Sequence, residues 1–82
     1  MKIKLLYFAA VRELVGIDEE ELVLPPDVAT VADLSAWLER QRSVLAGRLG
    51  AVRFARNEAF ARADEALADG DVVALIPPVA GG

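Results

Sequence analysis

Only one stretch of this sequence repeats its apolar residues with a helical period over several turns. Val31, Leu34 and Leu38 recur at three- and four-residue spacing between Thr30 and about Arg42. Most other apolar segments read as strands. That imbalance leaves few possible folds, because one helix covers only one face of a sheet. The helix opens on Thr30-Val31-Ala32-Asp33, a capping box with Asp where Glu or Gln is usual. Trp37 lies beside the apolar stripe, while Glu39, Arg40 and Arg42 are expected to face away. The helix should end near Arg42 or Ser43.

Before the helix, residues 2–10 read as a strand with Ile3, Leu5, Tyr7 and Ala9 on one face. Lys2 and Lys4 begin the other face, which then turns apolar at Leu6 and Phe8. Either the domain itself or a partner covers that end of the sheet. Residues 10–15 are too few for an independently stable helix and read as a helical turn ending at Gly16. Residues 17–24 read as a second strand, closed by Pro25-Pro26. Its acidic run Asp18-Glu19-Glu20-Glu21 is expected to be a solvated edge or turn.

After the helix, residues 44–50 read as a loop or short turn and residues 51–56 as a third strand. Asn57-Glu58 is a turn candidate, since Asn tolerates the left-handed region. Residues 59–62 are expected to pair back as a short strand. Asp69-Gly70-Asp71 is a further turn signal. Val72 to Ile76 is a continuous apolar run, the pattern of a central strand covered on both faces. The economical assembly is α+β: a mixed sheet of about five strands wrapped round one main helix, the ubiquitin-like β-grasp arrangement. The expected division is a domain over residues 1–76 and an extended tail over 77–82.

The 82 residues contain no Cys and no His. Disulfides, thiolate nucleophiles and the commonest general base are therefore missing, and a structural zinc site is essentially excluded. A domain this small buries only about 60% of its unfolded surface, but 55% of its residues are hydrophobic, enough for a compact core. Nine basic residues are scattered against thirteen acidic ones, giving a net charge of −4. Nucleic-acid binding needs a basic face, which this chain lacks. An acidic chain instead suits partners with basic docking surfaces. The start lacks the apolar core and cleavage site of a signal peptide, and no apolar run approaches the ~20 residues that span a bilayer. The expected location is the cytoplasm, with no membrane contact.

The sequence ends Pro77-Pro78-Val79-Ala80-Gly81-Gly82. The prolines favour an extended course away from the sheet, and six extended residues reach roughly 20 Å. Two glycines without Cβ atoms can pass a narrow channel in any backbone conformation. Terminal glycines are also common in ends that merely fray. A carboxylate on such an arm is a poor electrophile until it is activated, typically as an acyl-adenylate. A sulfur donor could then replace the adenylate and leave a thiocarboxylate, a softer nucleophile than the oxygen form.

The sequence resembles the small subunit of molybdopterin synthase over its whole length. The likeness is strongest in Leu6-Tyr7-Phe8-Ala9-Ala10-Val11-Arg12-Glu13-Leu14-Val15-Gly16 and from Asp69 through Ile76-Pro77-Pro78-Val79-Ala80-Gly81-Gly82. Asn57 also fits. The resemblance implies a β-grasp fold and a heterotetramer of two large and two small subunits. It implies that an adenylating enzyme of the ubiquitin-activating type uses ATP on Gly82, that a sulfurtransferase step makes the thiocarboxylate, and that sulfur passes to cyclic pyranopterin monophosphate in the large subunit. No cofactor or metal is implied on this chain itself. Gly82 would bear the sulfur and Gly81 would permit its approach. Phe8, Ile76, Pro77, Pro78 and Val79 would meet the large subunit, which makes partner cover the expectation at Leu6 and Phe8. Ile76 stands where the family often has an aromatic. Arg12 matches a family arginine, for which a plain surface ion pair is an equal reading. The other readings are a sulfur carrier for thiamine synthesis or tRNA thiolation, and a non-catalytic β-grasp interaction module.

Overall fold

The computed structural model describes residues 1–78. The elements are β1 (Lys2–Tyr7), α1 (Ala9–Val15), β2 (Glu19–Val23), α2 (Val31–Gln41), a 3₁₀ turn (Ser43–Leu45), β3 (Arg53–Arg56), β4 (Ala59–Phe60) and β5 (Val72–Ile76). The strands form one sheet in the order β2-β1-β5-β3-β4. Strand β1 pairs antiparallel with β2 and parallel with β5, while β3 pairs antiparallel with β5 and β4. This is the mixed sheet and single main helix of the β-grasp fold.

The core lies between α2 and one face of the sheet. Ile3, Leu5 and Tyr7 of β1, Val73 and Leu75 of β5, and Phe54 of β3 meet Val31, Leu34 and Leu38 of α2. Each fully buried Leu or Val side chain contributes about 1.5–3 kcal/mol through loss of apolar contact with water. The capping box forms as its sequence indicated. Asp33 N donates to Thr30 Oγ1 at 3.2 Å, and the Asp33 carboxylate accepts from the Thr30 and Ala29 backbone amides at 3.1 Å. Those bonds hold its carboxyl below the usual carboxylate pKa, the Ala29 amide contributing most.

Several expectations are corrected. Strand β1 stops at Tyr7, because the Phe8 carbonyl accepts from Val11 and Arg12 and starts a helix there. Ala9 is therefore an exposed helical residue and not a core position. The stretch read as a turn is the seven-residue α1, whose Val11 reaches the core. Strand β3 begins at Arg53, and β4 is limited to Ala59–Phe60. The loop read over 44–50 buries Leu45 and Leu49.

Two polar readings change as well. Arg42 does not face away: it caps α2 and turns back to the Glu20 carboxylate, which also accepts from the Tyr7 hydroxyl. Glu20 is thus half-buried, unlike the solvated acids on either side of it. The reason is period two: Glu19 and Glu21 point to one face of β2, and Glu20 points to the helix side. Burial, and then the bond to Glu20, raises the Tyr7 phenol pKa above its ordinary value.

Candidate functional site

Parallel pairing of β1 with β5 sets Leu6 opposite Ala74 and Tyr7 opposite Leu75. Side chains alternate across the sheet, so Tyr7 and Leu75 point into the core and Leu6 and Ala74 point out. One step further along both strands, Phe8 and Ile76 stand together on the outer face. Phe8 is 45% exposed, and its extended backbone (φ −124°, ψ 150°) continues the line of β1. The chain then turns at Ala9, where φ is 48°, and leaves the ring on the open side.

The opposite edge of the patch comes from a hairpin. Asn57 and Glu58 have φ of 51° and 73°, the two positive values that a two-residue type I′ turn needs. The turn sets Ala55 opposite Phe60, and Phe60 is 55% exposed. Leu6, Phe8, Ala55, Phe60, Ala74 and Ile76 thus surround a shallow depression of about 480 Å³. Strand β5 is covered on one face only: Val73 and Leu75 are buried, whereas Val72, Ala74 and Ile76 are half-exposed. The apolar run read as covered on both faces has no second cover within the described residues.

The hairpin is tied to the start of β5. Asn57 Nδ2 donates to Asp71 Oδ1 at 3.0 Å, and Val72 N donates to Asn57 Oδ1 at 2.9 Å. Asp71 is 6% exposed and also accepts from Ala68 N at 2.8 Å, with Arg56 Nε 3.3 Å away. These contacts fix the hairpin against β5 and thereby place Phe60 on the open face. Sequence reading missed Phe60. The two-residue turn could have revealed it, since that loop length sets the register Ala55–Phe60.

Towards β2 the open face carries two charged pairs and the exposed Val23. Lys4 lies 2.7 Å from Glu19, and Lys2 lies 3.6 Å from Glu21. The apolar depression lies beside the end of β5. Pro77 and Pro78 continue from that end, Pro77 half-buried and Pro78 exposed. Val79, Gly81 and Gly82, the remaining tail positions singled out by sequence, lie outside the described residues. Arg12 forms an exposed pair with Asp18 at 3.8 Å, an arrangement worth about 0–1 kcal/mol. A larger groove of about 680 Å³ runs between α2 and the segment entering β3, with Arg53 and Phe54 in its lining. No helix among the described residues is long and apolar enough to cross a membrane.

Residues 5–82 match the model of the ThiS family. The chain belongs to the ThiS family. This ThiS-family chain is 42% identical to a protein of Chlamydomonas reinhardtii named molybdopterin synthase sulfur carrier subunit, over all of both chains. Among solved structures, SAMP1 from Haloferax volcanii is 30% identical and covers both chains completely, with a TM-score of 0.84. A chain of the complex of subunits 1 and 2 of the molybdopterin-converting factor from Helicobacter pylori is 25% identical, again over both full chains, with a TM-score of 0.70.

Proposed function

We propose that this ThiS-family chain is the sulfur-carrier subunit of a molybdopterin synthase. The observation that carries the reading is the apolar patch at the root of the tail, made by Phe8 and Ile76 through the parallel β1–β5 pairing. A carrier must present its terminal group to another protein, and a docking surface beside that group would aim it. The naming of the Chlamydomonas relative, at 42% identity over full length, supports molybdenum-cofactor synthesis over the other carrier pathways.

In this reading the domain over residues 1–76 holds an arm, 77–82, that ends in the reacting group. An adenylating enzyme joins the Gly82 carboxylate to the AMP portion of ATP and releases pyrophosphate. Persulfide sulfur from a sulfurtransferase displaces AMP to form an acyl disulfide, which a thiol cleaves, leaving the thiocarboxylate and a disulfide. Gly81 lets the arm pass into the large subunit, while Phe8, Ile76, Pro77, Pro78 and Val79 contact that subunit's surface. Two transfers supply the two sulfurs of the dithiolene, and each returns Gly82 to a carboxylate. Acid–base groups come from the large subunit, since a chain without His or Cys holds few groups suited to that work. The assembly is two large and two small subunits, in the cytoplasm.

The test is intact-mass measurement after incubation with ATP, the adenylating enzyme and a sulfur source. The expected gain is the mass difference between sulfur and oxygen, placed on Gly82 by fragmentation. Absence of that gain with competent partners would sink the carrier reading. Charged protein should then convert cyclic pyranopterin monophosphate with the large subunit. Conversion only in thiamine or tRNA thiolation would assign another pathway. The likeness to an archaeal modifier protein favours a second reading, attachment of Gly82 to a protein amine. A covalent adduct in place of the thiocarboxylate would identify it.

A further inference from the structure

Strand β3 brings one cation to the border of the apolar patch. The β3–β5 register sets Arg53 opposite Ile76, the final residue of β5. Directly opposed residues share a face, so Arg53 stands on the open side beside the root of the tail. Its guanidinium carbon lies 3.7 Å from the centroid of the Phe60 ring. The stack sets the guanidinium over Phe60, which lines the depression.

This arrangement differs from the other cations on the open face. Lys2 and Lys4 are matched to Glu21 and Glu19 within the sheet. Among the described residues, the carboxylates within 4.0 Å of a basic group belong to Lys2, Lys4, Arg12, Arg42, Arg56 and Arg62, and none to Arg53. A protein that covers Leu6, Phe8, Ile76 and Phe60 also strips water from the Arg53 border. A desolvated cation needs a counter-charge, and the planar fork of Arg selects a carboxylate that can take two parallel hydrogen bonds.

Resting on the reading that this face docks the large subunit, we infer that Arg53 is a specificity-determining contact. It receives an Asp or Glu carboxylate that the large subunit presents at the edge of its apolar docking surface. The chain is net acidic, so long-range attraction favours a basic partner. A local acid opposite Arg53 is an inverted point in that pattern. It fixes the rotational register of the docked carrier, and with it the direction in which the tail departs.

The test measures binding of the full chain to its large subunit by kinetics and calorimetry, for wild type and for Phe8→Ala, Arg53→Lys, Arg53→Ala and Arg53→Glu. Arg53 is exposed, so circular dichroism should show folded variants. Arg53→Ala is expected to weaken binding by about tenfold or more, chiefly through faster dissociation. Arg53→Glu should lose more, Arg53→Lys should fall between wild type and Arg53→Ala, and reversal of one acid on the large subunit to Lys should restore binding of Arg53→Glu. If Phe8→Ala weakens binding while all Arg53 variants stay within about twofold of wild type, the face docks but Arg53 is not read, and the inference is overturned. A change confined to the association rate also overturns it, because that marks an exposed steering charge. If neither Phe8→Ala nor Arg53→Glu alters affinity, the docking reading itself fails.

Discussion

Asp71 is the one buried charged residue among the described residues, and its surroundings explain how it is tolerated. It accepts from Asn57 and from the Ala68 amide while Arg56 lies beside it. Asn57 in turn receives the Val72 amide in a position with φ of 51°, where Asn is tolerated better than most side chains. Asn57→Ala removes both polar contacts and keeps the unfavourable φ. It should destabilise the protein by about 1–3 kcal/mol in urea titrations. Asn57→Gly relieves the backbone and should cost less. A cost for Asn57→Ala no larger than for Asn57→Gly would show that the lost amide contacts, and not the backbone conformation, dominate. Asp33 gives a prediction in pH. Its folded-state pKa is depressed, so its contribution is present above the ordinary carboxylate pKa and lost as pH falls through the lower folded value. Asp33→Asn should therefore flatten the acid limb of stability, measured by denaturant midpoints from neutral pH downward.

At the scale of elements, α2 and β5 bear the fold. Leu38 is fully buried, and Leu38→Ala should cost about 2–5 kcal/mol through lost transfer energy and the cavity left behind. Thr30→Ala removes the helix cap and should cost about 0.5–2 kcal/mol. Thermal or urea unfolding checks both, and the order Leu38→Ala beyond Thr30→Ala is the informative result. These elements were also the most legible in the sequence, because their signals are local. Thr30 and Asp33 mark a helix start within four residues, and Asp69-Gly70-Asp71 marks the entry to β5. Gly70 takes φ of 85° there, and its amide donates to the Lys2 carbonyl. What local signals omit is who neighbours whom. The return of Arg42 to Glu20 depends on how α2 packs over β2. The pattern Val72–Ile76 reports total apolar content, so it could not distinguish cover by this chain from cover by another.

For the whole molecule, the candidate site was half legible. Phe8 and Ile76 were identified through family likeness, and their meeting on one face follows from a parallel pairing that no local pattern specifies. Phe60 and Arg53 required the register of β3 with both its neighbours. Core and arm should separate in experiment. A chain lacking residues 79–82 keeps every strand and core residue described above, so its unfolding midpoint should stay close to that of the full chain. Its capacity to accept sulfur should vanish. A large drop in midpoint would mean that those residues hold the fold as well as the cargo.

The pairing of β1 with β5 also orders events in time. The first strand finds its central neighbour only in β5, where Lys4 pairs with Val72, 68 residues later. Contacts so distant in sequence delay folding, because loop closure must precede their formation. A nascent chain can shape α2 early, yet it has no Ile76 to set beside Phe8. The apolar face shared by Phe8 and Ile76 therefore comes into being only after β5 has been made, and until then no partner can find it.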